Sequence, residues 1–348
     1  MTRHFGDLNA DVLAIICNAL HDVEQGPKNL RAFSLTNRRI RHASLPPLFR
    51  SVSVHKKTLR DSADALVALK ETNSVTRYIR VFTFSLEVPS FQAVQEFWTT
   101  RDPAALMQGP EDAPDCASAF AEALASMPYL RSLTFQPNRN LLEVILQHFP
   151  VAFASSQLQL GRVESLSTDV SLTFLRGICP SAVALSLRMS AMSMGPDCGQ
   201  EWAAGGRVTK LDILDMGHGD EMEDFVKYLP HITELAIESR YFDVKLDLAR
   251  LASLQSLTSL HLPPLSSLNL GYNPPWCGNA YMGPNGQKLR ERLNKQEEEA
   301  KRQAKRIVRD ALPRLRFLRI DYVGTYNFST LKTDDPDELD RLAAIEDS

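Results

Sequence analysis

Histidines, cysteines and glycine-rich turns are the residues of this chain whose spacing could support chemistry. The eight histidines and five cysteines are scattered, without the HExxH or CxxC spacing of zinc sites. The segment Met216–Glu221 places His218 near two carboxylates, but glycine and aspartate at this point are typical of a turn and a helix cap. Gly283, Gly286 and Lys288 do not match the GxxxxGK spacing of a phosphate-binding loop. We therefore expect no catalytic residues, no metal, no cofactor and no enzymatic activity.

Composition and charge are typical of a globular protein. With 348 residues, 44% of them hydrophobic and 23% charged, the chain can bury one large core or two modest ones. The net charge of −3 provides no overall field that would attract nucleic acid or an acidic membrane. The cysteines indicate reduced thiols, and no apolar run reaches the roughly 18 residues of a membrane span. We expect a cytoplasmic or nuclear protein without membrane contact.

A short phrase recurs along the chain: an apolar residue, two others, leucine, one other and a second residue that is usually apolar. Its first six middle leucines lie about 19 to 33 residues apart, which is the period of leucine-rich repeats. In four phrases a proline stands two residues before the first apolar position, where it ends a helix and starts a turn. The middle leucines are Leu133, Leu166, Leu185, Leu211, Leu235, Leu260 and Leu318, and the prolines are Pro128, Pro180, Pro230 and Pro313.

Each phrase predicts a strand, and the segments before most phrases predict helices. A single strand-helix unit cannot bury its apolar face, so neighbouring units stack into a solenoid with a continuous core. The alternative is a generic α/β protein in which leucine recurs by chance. Seven phrases, four of them led by proline, favour the solenoid. We predict an α/β fold with a parallel sheet, built as an irregular leucine-rich-repeat solenoid.

The N-terminal stretch Phe5–Val54 predicts short helices that precede the solenoid. The segment Gln25–Pro27 interrupts the helical pattern between them. The second apolar stripe is Leu30, Phe33, Leu35 and Ile40. The first stripe has the i, i+3, i+4 spacing of an amphipathic helix, and its members are Val12, Ile15, Ile16, Ala19 and Leu20.

This stretch resembles an F-box, in the form common in fungal proteins. The resemblance rests on Leu8, Asp11–Leu13, the run Leu35–Arg39 and the run Leu45–Arg50, and Asn9 stands where the family usually has proline. It implies that the helices bind a Skp-type adaptor, and through it a cullin. By the same resemblance, the adaptor-binding residues are Leu8, Val12, Leu13, Ile16, Leu20, Leu30 and Leu35.

A binding site for a target protein is expected on the solenoid. Strand residues that point away from the core would form it, because the parallel strands line the concave side. Aromatic residues in the insertion 263–313 could add to this site, or could instead close the end of the solenoid. The loop around these aromatics is also similar to an insertion of fungal F-box proteins. The predicted target-binding residues are Thr134, Gln136, Asp212, Ala236, Glu238, His261, Arg319 and Asp321 on the strands, with Trp276 and Tyr281 in the insertion.

The predicted organisation has three parts: an F-box at 1–48, a solenoid at 49–325 that includes the insertion, and a flexible acidic tail at 326–348. Because Phe49–Val54 fits the repeat phrase, we expect Val52 and Val54 to lie in the first strand, directly after the F-box.

The resemblance implies a substrate-recognition subunit of an SCF-type cullin–RING ubiquitin ligase, with an unidentified target protein. One alternative is a protein-interaction scaffold unrelated to ubiquitin. The other is nucleic-acid binding through Lys301–Arg309, for which a solvated helix surface is the simpler explanation, so nucleic acid is not expected as a partner.

Overall fold

The fold is that of a computed structural model of the chain. It describes residues 8–23, 25–86, 110–138, 141–189, 198–204, 206–216, 220–240, 242–275, 282, 285–330 and 342. Among these residues, no helix is both long enough and apolar enough to cross a bilayer. The chain divides into two compact units, the first formed by residues 1–168 and 177–181 and the second by 169–176 and 182–348.

Three short helices open the first unit, and each packs on the other two: α1 (Ala10–His21), α2 (Gly26–Ser34) and α3 (Arg38–Leu48). Asparagine side chains begin two of them. Asn9 accepts a hydrogen bond from the backbone N–H of Asp11 at 3.3 Å, and Asn37 accepts one from Arg39 at 2.7 Å. Their common core is formed by Leu13, Cys17, Leu30 and Ile40, all at most 3% exposed.

Four parallel strands follow in the first unit, in the order β1-β2-β3-β4. The register aligns Val54 with Phe84 and Phe84 with Phe135, so every second side chain faces one common core. Helices cover that face. The elements are β1 (Ser51–Lys56), α4 (Leu59–Glu71), α5 (Asn73–Thr76), β2 (Val81–Leu86), α6 (Ala113–Ala125), β3 (Ser132–Gln136), α7 (Leu142–Ser155) and β4 (Ser165–Asp169).

The helix-to-strand junction after α3 is short. Only Phe49 and Arg50 separate α3 from β1, and the carbonyl of Arg50 accepts hydrogen bonds from the N–H groups of Arg80 at 2.9 Å and Val81 at 3.0 Å. Val52 and Val54 both lie in β1, paired with Phe82 and Phe84 of β2. The three helices therefore belong to the same compact unit as the first four strands, whereas the predicted boundary stood at residue 48.

The second unit contains six further strands, in the order β5-β6-β7-β8-β9-β10. Neighbours from β5 to β9 are parallel, and β10 is antiparallel to β9. The short helix α8 (Phe174–Ile178) precedes them. The other elements are β5 (Ala184–Arg188), α9 (Cys198–Ala203), β6 (Lys210–Met216), α10 (Asp220–Tyr228), β7 (Glu234–Ser239), α11 (Val244–Leu251), β8 (Ser259–Leu262), α12 (Gly286–Ala311), β9 (Phe317–Ile320) and β10 (Gly324–Asn327).

The repeat phrase and its prolines fall where the sequence predicts. All seven middle leucines lie in strands β3 to β9 and are at most 3% exposed. Each of the four prolines lies in a turn between a helix and the next strand. A mixed α/β fold with mostly parallel strand pairing is thus confirmed.

Residues 326–330, which the sequence predicts to begin a flexible tail, are part of the fold. Tyr326 lies in β10 and is 4% exposed, and Phe328 follows it at 2%. The Lys305 ammonium nitrogen lies 5.3 Å from the centroid of the Tyr326 ring. The reason for the difference is that two aromatic side chains provide enough apolar area to hold this segment in the fold. Beyond residue 330, only Leu342 is among the described residues.

Candidate functional site

The surface of the three N-terminal helices carries exposed apolar side chains. Val12 is 41% exposed and Ile15 67%, both on α1, and Leu35 is 74% exposed at the end of α2. Helix α1 has more apolar residues than one buried face can hold, so packing on α2 and α3 leaves some of them at the surface. We call Val12, Ile15 and Leu35 the apolar helix patch. Contiguous exposed apolar surface is a feature of protein-interaction sites, whereas single exposed apolar residues are common.

The predicted adaptor-binding residues separate into three groups by burial. Leu13 and Leu30 are fully buried and hold the helices together. Leu8, Ile16 and Leu20 are half-buried. Val12 and Leu35 are exposed.

Ile15 is exposed on α1, although it is not among the predicted adaptor-binding residues. It belongs to the predicted apolar stripe of α1, together with Ile16 and Leu20. The stripe gave no indication of which members would face the other helices, because Leu13 and Cys17, outside the stripe, occupy the core instead.

A row of aligned side chains crosses the open face of the second unit. The register pairs Asp212 with Ala236, Ala236 with His261, and His261 with Arg319 on β6, β7, β8 and β9. Side chains at the same register position of adjacent strands lie about 4.8 Å apart. Asp321 joins the row at the end of β9, where its Oδ1 lies 2.6 Å from Nε2 of His261. The structure therefore brings these predicted target-binding residues together.

The charges of this face are largely paired. Lys210 Nζ lies 2.7 Å from Glu234 Oε2, two register positions before the row and on the same face. Asp212 is exposed, in the register position that follows Leu211 on β6. Burial raises the pKa of the Asp212 carboxyl above its ordinary range; the attraction of His261 opposes this shift, and the repulsion of Glu234 adds to it. The row thus contains a carboxyl whose protonated form is favoured more in the folded protein than in the unfolded chain.

An exposed tyrosine stands beside the row. Tyr322 lies in the turn between β9 and β10, is 98% exposed and has a positive φ of 62°. A bulky residue in the left-handed region is uncommon and often marks a functional position. Its sequence signal was weak, since a single tyrosine between a repeat strand and Gly324 resembles an ordinary turn.

The remaining predicted target-binding residues do not belong to this row. Thr134 and Gln136 lie on β3 of the first unit, where Thr134 aligns with Thr83 and Ser167. Glu238 is exposed near the end of β7 in the second unit. Trp276 and Tyr281 lie outside the described residues. Just before them, Tyr272 donates a hydrogen bond from its hydroxyl to Glu297 of α12 at 3.4 Å.

Groups suited to covalent or metal chemistry are few in the described part of the chain. No three His, Cys, Asp or Glu side chains there are grouped so as to hold a metal ion. Cys17, Cys116 and Cys179 are buried. Burial, and then the nearby Asp112 carboxylate, raises the pKa of the Cys116 thiol to about 12. His218 and Gly283, which the sequence singled out, lie outside the described residues.

Two comparisons with known proteins assign no family to this chain. No protein-family model matches the chain. A search of curated proteins likewise finds no match.

Proposed function

We propose that this chain is the substrate-recognition subunit of an SCF-type cullin–RING ubiquitin ligase. In this proposal the apolar helix patch binds a Skp-type adaptor. The row of aligned side chains on the open face of the second unit binds a target protein. The strands with their helices form the irregular leucine-rich-repeat solenoid that carries the target. The observation that carries the proposal is the exposure of Val12, Ile15 and Leu35 on helices that already bury their own core through Leu13 and Leu30.

The short junction after α3 supports a fixed geometry between the apolar helix patch and the strands of the first unit. Arg50, two residues beyond α3, already accepts hydrogen bonds from the start of β2. An adaptor on the helices would therefore be held at a set angle to the strands of the first unit. Such a subunit performs no covalent step. It acts by proximity, since holding a target lysine near the transferring enzyme raises its effective concentration.

Adaptor capture with a matched pair of variants tests the proposal. The variant Ile15→Asp/Leu35→Asp places charges on the apolar helix patch. The control Leu246→Asp/Val151→Asp changes residues of similar exposure, 67% and 64%, on α11 and α7. Co-expressed with a Skp-type adaptor, the first variant should retain less than about a tenth of the wild-type pull-down, because central apolar contacts dominate such interfaces. The control should retain most of it.

Circular dichroism at the expression temperature establishes that both variants fold. Wild-type pull-down by the patch variant would overturn the adaptor assignment. It would favour the scaffold alternative, in which the three helices cap the repeats and bind no adaptor. The self-contained core formed by Leu13, Cys17, Leu30 and Ile40 is what favours that alternative.

A further inference from the structure

The loops that enter strands β2, β3 and β4 of the first unit are rich in arginine. They contain Arg77 and Arg80 before β2, Arg131 before β3 and Arg162 before β4. Within 72–80, 126–131 and 156–164 the single acidic residue is Glu164, and lysine does not occur. The loops therefore concentrate positive charge on a chain whose net charge is negative.

Backbone hydrogen bonds place these residues next to one another. The N–H of Arg80 donates to the carbonyl of Arg50 at 2.9 Å, and the N–H of Arg131 donates to the carbonyl of Arg80 at 2.8 Å. The N–H of Glu164 then donates to the carbonyl of Arg131 at 2.7 Å. A column of four residues thus runs across the N-terminal ends of the strands, at the spacing of adjacent strands. It contains Arg50, Arg80, Arg131 and Glu164.

Two of the guanidinium groups lie against the ring of one tyrosine. The Cζ atoms of Arg80 and Arg162 lie 4.7 and 4.9 Å from the centroid of the Tyr129 ring, and Tyr129 is 45% exposed. Arg80 is also fixed by its Nη1, which donates to the carbonyls of Arg77 at 2.9 Å and Ile79 at 3.2 Å. The positions of these charges are therefore set before any ligand arrives.

Neutralisation of these charges is weak. The ion pair of Arg131 with Glu164 is long, at 3.9 Å, and both side chains are well exposed, at 66% and 59%. Pairs of this kind contribute little and exchange readily with water or a competing anion. The Arg131 guanidinium is consequently accessible to carboxylates, which it can bind in bidentate fashion, and Arg77 and Arg162 are exposed as well.

We propose that this surface, the arginine edge (Arg50, Arg77, Arg80, Arg131 and Arg162 with Tyr129), binds an acidic segment of a partner protein. Single-stranded nucleic acid is the competing class, and proteins that bind it commonly add base stacking on free aromatic faces to their phosphate contacts. Tyr129 already carries two guanidinium groups, and Tyr78 carries that of Arg77 at 4.8 Å. The surface therefore offers fixed cations and little open ring, which suits carboxylates. The inference does not depend on adaptor binding.

Fluorescence anisotropy with the full chain tests this surface. The probe is a labelled peptide of about ten residues with clustered glutamates, and a glutamine version of it is the neutral control. Arg131→Gln/Arg162→Gln removes two cations of the arginine edge. Arg60→Gln/Arg207→Gln removes the same charge from exposed positions on α4 and before β6. At about 50 mM salt, where screening is weak, the edge variant should bind the acidic peptide at least about fivefold more weakly than the wild type. The control variant should stay within about twofold of the wild type.

Three results would overturn the proposal. The first is equal binding of the acidic and the neutral peptide. The second is unchanged binding by the edge variant, with thermal unfolding showing that both variants fold. The third is tighter binding of a labelled single-stranded oligothymidylate that depends on the same two arginines, which would assign the surface to nucleic acid.

Discussion

The Nε2 atom of His261 lies 2.6 Å from the Oδ1 atom of Asp321, and this contact joins β8 to the turn that follows β9. A backbone bond from the N–H of Asp321 to the carbonyl of Leu262, at 3.2 Å, runs beside it. The next residue is Tyr322, almost fully exposed and in the left-handed region. The histidine and aspartate that the sequence assigned to target binding therefore also fix the turn that presents the tyrosine.

Replacing Asp321 should loosen this turn with little loss of overall stability. For Asp321→Ser we expect faster hydrogen exchange at the amide of Val323, which bonds to the carbonyl of Ile320 at 3.1 Å. The free energy of unfolding should fall by less than about 1 kcal/mol, because the paired side chains are 33% and 32% exposed. The amide of Leu254 in the same unit is the internal control. Unchanged exchange at Val323 would mean that the backbone alone holds the turn.

Because folding raises the pKa of the Asp212 carboxyl, the contribution of this residue to the free energy of unfolding depends on pH. A carboxyl whose pKa is raised by folding stabilises the fold fully below its ordinary pKa of about 4, and this contribution is lost as the pH rises through the raised value. Asp212→Asn should therefore be more stable than the wild type at pH 7. Its advantage should shrink as the pH falls and vanish below about pH 4.

Urea unfolding at several pH values measures this difference, with Glu238→Gln as a control that removes an exposed carboxyl from the neighbouring strand. If the wild type were the more stable protein at pH 7, the attraction of Asp212 to His261 and Lys210 would outweigh its burial. The raised pKa of the Asp212 carboxyl would then be wrong.

The strands could be predicted because their signal is local and repeated. Leu211 and Ile213 show the reason: alternate residues of a strand face the same side, so two buried positions within one phrase suffice to mark it. The four prolines also predicted the turns before four of these strands. The antiparallel hairpin of β9 and β10 could not be predicted this way, because Tyr326 and Phe328 carry no repeat phrase and their burial depends on partners such as Lys305, distant in sequence.

The candidate surfaces were harder to predict than the strands. In α1 the choice between Leu13 and Ile15 for the core depends on where α2 and α3 lie, and an apolar pattern on several faces does not determine it. The arginine edge was hard to predict for a similar reason. Its residues are scattered over about 110 positions of sequence, and only the parallel register brings the strand entrances together. The His261–Asp321 contact likewise spans 60 residues.

The phenylalanine cluster under the first sheet should dominate the stability of its unit. Phe120 of α6 is fully buried, with its ring centroid 4.9 Å from that of Phe84 and 5.0 Å from that of Phe135. Phe120→Ala should cost about 3–5 kcal/mol in the free energy of unfolding, since it leaves a cavity, and Phe120→Leu about 1–2 kcal/mol. Phe317→Ala, at a position 40% exposed, should cost less than about 1 kcal/mol. Denaturant titrations give all three values, and equal costs at positions 120 and 317 would contradict the packing.

Cys116 should be protected from alkylation as long as the first unit is folded. With a pKa of about 12, caused by burial and the Asp112 carboxylate, only about one thiol in ten thousand is ionised at pH 8, and the thiolate is the reactive form. Iodoacetamide followed by peptide mass spectrometry should label Cys116 in urea and leave it unmodified in buffer. Rapid labelling in buffer would show that α6 opens readily, and Phe120→Ala should bring that behaviour about.

Gly26 lets the start of α2 pass close to the end of α1. A Cβ atom at this position would lie 2.1 Å from the carbonyl oxygen of His21 and 2.5 Å from that of Leu20. Alanine is the better helix former by about 1 kcal/mol, but here it would push against backbone that cannot give way. Gly26→Ala is therefore expected to destabilise the protein by about 1–3 kcal/mol.

Gly177 provides the matched control for this substitution. It also lies in a helix, α8, where an added Cβ would meet nothing within 4 Å, so Gly177→Ala should leave stability unchanged or raise it by up to about 1 kcal/mol. Thermal unfolding separates the two variants. If adaptor binding occurs through the apolar helix patch, Gly26→Ala should also reduce adaptor pull-down, because the position of Ile15 relative to Leu35 depends on how α1 meets α2. Equal stability of both variants would mean that α1 and α2 do not approach this closely, and the patch would then lose the fixed geometry that adaptor binding requires.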